Sequence, residues 1–145
     1  MFKTPSIILL VDDEADFVEM LSLRLKESGE TVLTAHSGSQ CLEILEKSEI
    51  DVIILDVKMP GMDGIETLQA IKKRHPLIEV IMLTGHGTID TAVQGMKLGA
   101  FDFLMKPADF DVFTAKVNQA RQRRHDQIER IRKAEAATLL RRAKI

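Results

Sequence analysis

Apolar positions along the chain follow two rhythms. Short unbroken runs recur at Ser6 to Val11 (SIILLV), Thr31 to Ala35 (TVLTA), Asp51 to Asp56 (DVIILD), Glu79 to Gly85 (EVIMLTG) and Ala100 to Pro107 (AFDFLMKP). SIILLV and DVIILD, rich in β-branched residues and lacking polar alternation, predict buried strands, and the other three runs predict the remaining strands. Between them the spacing turns helical. Phe17, Met20, Leu21 and Leu25 make one stripe, Leu42 and Leu45 a second, and Ile65, Leu68 and Ile71 a third. IDTAVQGMKLG predicts a fourth helix, and a last one begins near Asp109 or Phe110. The punctuation agrees. Gly29 stands where the first helix needs a left-handed stop. Ser37 with Gln40 reads as a capping box. VKMPGMDG is a Pro/Gly turn, and Pro107 ends the last strand.

Strand and helix therefore alternate five times along the sequence. Such a pattern predicts an α/β fold, a doubly wound parallel sheet with helices on both faces and right-handed crossovers. Ligands of these sheets bind beyond the carboxyl ends of the strands. At those ends stand Asp12 and Asp13, Asp56, Thr84 and Lys106. A single acid after a strand is often only a helix cap; this whole set on one edge is a candidate site. Crowded carboxylates repel, and each resists ionising unless a cation offsets the charge. Oxygen-only ligands suit Mg²⁺, which favours one or two carboxylates together with phosphate oxygens. Lys106 adds a compact positive charge, and the Thr84 hydroxyl can donate to a phosphoryl oxygen.

Composition narrows the class. The chain has 145 residues, 45% of them apolar, which suits one domain with a sizeable core. No apolar run approaches the roughly 20 residues that cross a bilayer, and MFKTPSI lacks a signal-peptide pattern. Cys41 is alone, so it forms no internal disulfide and reads as a buried small hydrophobe; a reducing, cytoplasmic setting fits. The net charge of −2 hides an asymmetry: residues 121 to 145 carry nine Lys/Arg against three Asp/Glu, leaving +6 there and −8 on the remainder. Phe110 to Leu140 contains no Pro or Gly, so a helix of about 30 residues and roughly 45 Å is expected, long enough to project. Ile128 and Ile131 suggest a short contact, but Glu135 and Arg142 interrupt a coiled-coil heptad.

LLVDDE, DVIILDVKMPGMDG, IMLTG and GAFDFLMKP, in that order and spacing over residues 6 to 120, resemble the receiver (CheY-like) domain of two-component response regulators. The resemblance implies a flavodoxin-like fold with five strands in the order 2-1-3-4-5. It implies that Asp56 is the phospho-acceptor, and that Mg²⁺ (or Mn²⁺) is held by Asp13, Asp56 and the backbone carbonyl of Lys58, with Asp12 helping through water. Lys106 would contact the phosphoryl group, Thr84 would move to bond it, and Phe103 would turn inward behind it. Lys58 and His86 stand where the family tunes hydrolysis of the aspartyl phosphate. The implied phosphoryl source is a sensor histidine kinase or a phosphotransfer protein. The implied output is a change in the face of helix four, strand five and helix five, for partner binding or for a homodimer there or through the C-terminal helix. GHGTID, with two glycines, suggests a loop that shifts the start of helix four. The domain division expected is a receiver over 1–120 and a basic helical extension over 121–145.

Two other classes stay open at this level. An aspartyl-phosphate phosphatase would need a second Asp two residues beyond its nucleophile, where Lys58 follows Asp56 and Glu14 follows Asp12. A receiver fold that binds partners without phosphate is the blander option. Arg123-Arg124 and Arg141-Arg142 could meet nucleic-acid phosphates, but no helix-turn-helix or zinc-finger pattern accompanies them, so direct DNA binding is disfavoured. The similarity of LTGHGTIDTAVQGMKLGAFDFLMKP to receivers attached to ATPase-type transcription activators would make the tail a linker helix.

Overall fold

The apolar runs do become the strands of one sheet. The structure, a computed structural model, describes residues 6–58, 63–85 and 89–143. Its elements alternate as β1 (Ile7–Val11), α1 (Ala15–Glu27), β2 (Thr31–Ala35), α2 (Gly38–Lys47), β3 (Val52–Asp56), α3 (Gly64–Arg74), β4 (Glu79–Thr84), α4 (Ile89–Lys97), β5 (Asp102–Met105) and α5 (Phe110–Arg142). The five strands are parallel, in the order β2-β1-β3-β4-β5. Alternate residues of the central strands feed two cores. Leu9, Ile53, Leu55 and Val80 pack with Cys41, Leu68, Ile71 and Ala92 of α2, α3 and α4. Ile8, Val52, Ile54 and Ile81 pack with Leu21 and Leu25 of α1 and Phe113, Val117 and Ala120 of α5. Burial on both faces is why β1, β3 and β4 read as continuous apolar runs; each such side chain contributes about 1.5–3 kcal/mol.

Most boundaries fall where the pattern put them, with local corrections. The strand expected from Ala100 starts only at Asp102, because Gly99 turns left-handed (φ 108°) and the chain re-enters the ladder through Phe101 N–H donating to the Val80 carbonyl (2.7 Å). Gly29 ends α1 in the left-handed region (φ 95°), as expected. Ser37 caps α2 by accepting from Gln40 N–H (3.1 Å), yet the Gln40 side chain accepts from His36 N–H (2.7 Å) rather than closing on Ser37. The full capping box lies elsewhere: Asp63 and Glu66 accept from each other's backbone at the start of α3.

The last helix is one continuous element of 33 residues, about 50 Å at 1.5 Å per residue. Its basic run is not wholly solvated. Arg121 pairs with Glu30 (2.9 Å), Arg123 with Glu79 (2.9 Å) and Arg124 with Asp51 (2.8 Å), three carboxylates at the amino ends of β2, β4 and β3. Among the described residues, no helix is long and apolar enough to cross a membrane.

Candidate functional site

The carboxyl edge of the sheet gathers the polar residues that terminate the strands. Register alone does much of this, since Val11 lies beside Leu55 and Asp56 beside Leu83. Asp12 and Asp56 are buried at 2% and 6% exposure, whereas Asp13 faces solvent. One carboxylate oxygen from each of Asp12, Asp13 and Asp56 lies within 4.8 Å of the others, a donor set of hard oxygens suited to a divalent cation. Two carboxylates are further oriented by the backbone: Asp12 Oδ1 accepts from Glu14 N–H (2.9 Å) and Asp56 Oδ1 from Lys58 N–H (3.2 Å).

Lys106, just past β5, reaches across this edge. Its Nζ donates to Asp12 Oδ2 (2.6 Å) and Glu14 Oε1 (3.0 Å) and stands 4.0 Å from Asp56 Oδ2. Burial alone would lower the Lys106 pKa; the hydrogen bonds to Asp12 and Glu14 and the charges of Asp56 and Asp12 outweigh it and raise it, so the ammonium stays charged. Asp56 is pushed from an ordinary 3.8 up to about 6, first by burial and then by the charge of Asp12, with Asp13 adding; the Lys58 N–H and Lys106 only partly offset this. An acidic pocket holding one cationic side chain still lacks positive charge, which is the condition that draws a metal ion.

Thr84 closes β4 fully buried, and its hydroxyl has no hydrogen-bond partner among the described residues. A buried hydroxyl without a partner is costly, and it has a donor to offer any acceptor that enters the site. Phe103, paired with Met82 on the neighbouring strand, packs partly buried against the core on the α4 side. Lys58 is exposed, with its amide on Asp56. His86 lies outside the described residues, as does the middle of GHGTID.

Three residues escaped the sequence reading. Glu14 appeared only within LLVDDE and as a departure from the phosphatase pattern, and Phe17 only as one point of a helical stripe. Phe17 in fact presents its ring to Lys106, with Nζ 4.4 Å from the centroid. Gly64 looked like turn punctuation. A Cβ there would stand 2.4 Å from Val57 Cα and 2.6 Å from the Asp56 carbonyl oxygen, so only glycine lets α3 approach this strand end. The Pro/Gly turn hinted at a tight bend but not at what it approached.

Comparison with known proteins adds context. A family described as "Response regulator receiver domain" matches residues 8–118. The "DNA-binding transcriptional regulator NtrC" of Escherichia coli (strain K12) is 41% identical over 114 residues, 79% of this chain and 24% of that protein. The "Transcriptional regulatory protein GlrR" of the same organism is 39% identical over 120 residues, 83% of this chain and 27% of that protein. The chain thus spans about a quarter of the length of these relatives. Among solved structures, a response regulator receiver domain protein from Clostridium thermocellum superposes with a TM-score of 0.80 at 39% identity, covering 83% of this chain and 97% of that one. NtrX from Brucella abortus, in complex with ADP, gives 0.82 at 32% identity, covering 87% of this chain and 29% of that one.

Proposed function

The chain belongs to the response regulator receiver family, whose members are signalling switches, and on that premise we propose that Asp56 is its phospho-acceptor. The observation that carries this reading is the cluster itself: the Asp12, Asp13 and Asp56 carboxylates within 4.8 Å, with the Lys106 ammonium 4.0 Å from Asp56.

The donor is a phosphohistidine on a sensor kinase or phosphotransfer protein, or a small acyl phosphate. An Asp56 oxygen attacks phosphorus, a new O–P bond forms, and the bond to the imidazole nitrogen or acyl oxygen breaks with its electron pair on the leaving group. With a pKa near 6, Asp56 is mostly ionised at neutral pH and able to attack. Lys106 offers its positive charge to the oxygens of the incoming phosphoryl group. Asp12, Asp13, Asp56 and the Lys58 carbonyl would hold Mg²⁺ (or Mn²⁺), which when bound supplies charge neutralisation to the carboxylates and the phosphoryl oxygens. The product is an aspartyl phosphate, and Lys58 and His86 are the candidates for tuning its hydrolysis.

Readout follows from the orphan hydroxyl. Thr84 can satisfy its buried donor on a phosphoryl oxygen, and Phe103 fills the space behind it, biasing the face of α4, β5 and α5. That face exposes Ile89, Val93, Met96, Met105 and Val112, apolar side chains suited to a protein partner or a second copy. We assign residues 1–120 to the receiver and 121–145 to the helical extension, which would serve as a linker or a dimer contact; direct DNA contact is not assigned, because no helix-turn-helix or zinc-finger pattern accompanies the basic residues and Arg121, Arg123 and Arg124 are paired with carboxylates.

Intact-mass spectrometry after incubation with acetyl phosphate tests this. One added phosphoryl group is expected, dependent on Mg²⁺ and absent in Asp56→Asn. No addition to the wild type with Mg²⁺ bound, or addition to the variant, would overturn the assignment. Repeated release of phosphate from an ordinary phosphomonoester would favour a phosphatase instead.

A further inference from the structure

An ammonium in a mostly anionic pocket has many places to go, and what keeps it at one of them matters. Lys106 hangs on a flexible four-carbon stem, so its charge is not positioned by its own backbone. Two anions hold it, Asp12 at 2.6 Å and Glu14 at 3.0 Å, and the Phe17 ring lies beneath it at 4.4 Å. Glu14 is largely exposed, at 66%, so water screens its pull. Asp12 is also one of the candidate cation ligands, and a bound cation would weaken its grip on Lys106. Phe17 is the holder that neither solvent nor a metal ion takes away. It is anchored in α1 and packs against the core between α1 and α5. An aromatic face attracts an ammonium but accepts no strong hydrogen bond, so it steadies the charge without competing against a phosphoryl oxygen.

We propose that Phe17 is a positioning residue for the phosphoryl-transfer site, its ring face seating the Lys106 ammonium 4.0 Å from Asp56. The proposal rests on the phospho-acceptor reading of Asp56 and adds that α1 supplies a part of the site that carries no charge and touches no phosphate. Packing alone would make any apolar side chain of similar volume equivalent at this position. The ring-face account makes tyrosine equivalent and leucine deficient.

The test uses the full chain and three proteins: wild type, Phe17→Leu and Phe17→Tyr. Phosphoryl uptake from acetyl phosphate at saturating Mg²⁺ is followed by intact mass, with urea unfolding as a check on the fold. Phe17→Leu should slow uptake by roughly two- to tenfold, the range a partly desolvated cation–π contact supports, and Phe17→Tyr should restore it. In parallel, NMR of the Lys106 side chain should show its Hε protons shifted upfield by the ring in wild type and Phe17→Tyr and relaxed in Phe17→Leu. Uptake by Phe17→Leu at the wild-type rate, or by Phe17→Tyr at the leucine rate, would overturn the proposal while leaving Asp56 as acceptor. Failure of the wild type to take up phosphate would overturn the acceptor reading and the proposal with it. Lack of a ring-dependent Lys106 shift would remove the seat whatever the uptake rates.

Discussion

Replacing Asp56 by asparagine should stabilise the metal-free protein, and the gain should grow with pH. Asp56 is 6% exposed, and its pKa is raised from 3.8 to about 6, mainly by burial and then by Asp12. A carboxyl whose folded pKa lies above its unfolded one binds its proton more tightly in the native state. Its favourable contribution is complete below pH 3.8 and is lost as pH rises through 6. Above that, the ionised group costs up to about 3 kcal/mol, at 1.36 kcal/mol per pKa unit. Asparagine cannot ionise and keeps an acceptor for the Lys58 N–H, but it gives up the attraction of Lys106. A net gain of about 1–3 kcal/mol is expected at pH 8, or roughly 2–10 °C in Tm for a domain of this size. Thermal unfolding with EDTA at pH 4.5, 6 and 8 would show the two proteins converging toward acid. Saturating Mg²⁺ should close or reverse the gap at pH 8, because the wild type retains the better ligand set. Equal midpoints at every pH, or a less stable variant at pH 8 without metal, would refute the electrostatic account of this pocket.

Other consequences are simpler to check. Gly64→Ala should cost about 1–3 kcal/mol in urea unfolding and slow phosphoryl uptake, since the new methyl meets Val57 Cα at 2.4 Å and must displace the strand end that bears Asp56. Arg123→Ala should destabilise by about 1–2 kcal/mol, less than a fully buried pair because Arg123 is half exposed, and adding Glu79→Gln should recover part of the loss. Burial raises the Glu79 pKa against the pull of Arg123, Lys72 and Arg124, so the Arg123→Ala deficit should widen as pH rises and Glu79 ionises. Burial pushes the Cys41 thiol up to about 12; a thiol reagent at pH 8 should therefore label it only after unfolding, and rapid labelling of the native protein would contradict its place in the core.

What the sequence made legible, and what it hid, divides along a physical line. Asp12, Asp13, Asp56, Thr84 and Lys106 each follow an apolar run directly, and a parallel sheet brings such positions to one edge whatever the side-chain details. Which residues meet at that edge could therefore be read from strand ends alone. Residues placed by a helix's rotation were different. Phe17 belongs to the α1 stripe, and nothing local distinguishes a ring that packs on Leu side chains from one that also meets an ammonium 89 residues later. Gly64 needed the position of Val57 to be understood. The moorings of the basic tail were hidden because its partners, Glu30, Asp51 and Glu79, lie one to a strand, far away in sequence. The buried Glu79 sat at the head of an apolar run and was read as its boundary.

Those three carboxylates give the sheet a polarity of use. β3 carries Asp56 at one end and follows Asp51 at the other; β4 runs from Glu79 to Thr84. The groups assigned to chemistry and the groups that moor the long helix thus occupy opposite rims of the same strands, a full strand length apart. For an engineer this is a ready-made division of labour. A reporter or effector fused to the helix would be carried away from the acidic pocket rather than over it, so cargo could be exchanged without crowding the acceptor. Shortening the helix into its arginines would loosen its mooring to the domain before it touched a single acceptor-side residue.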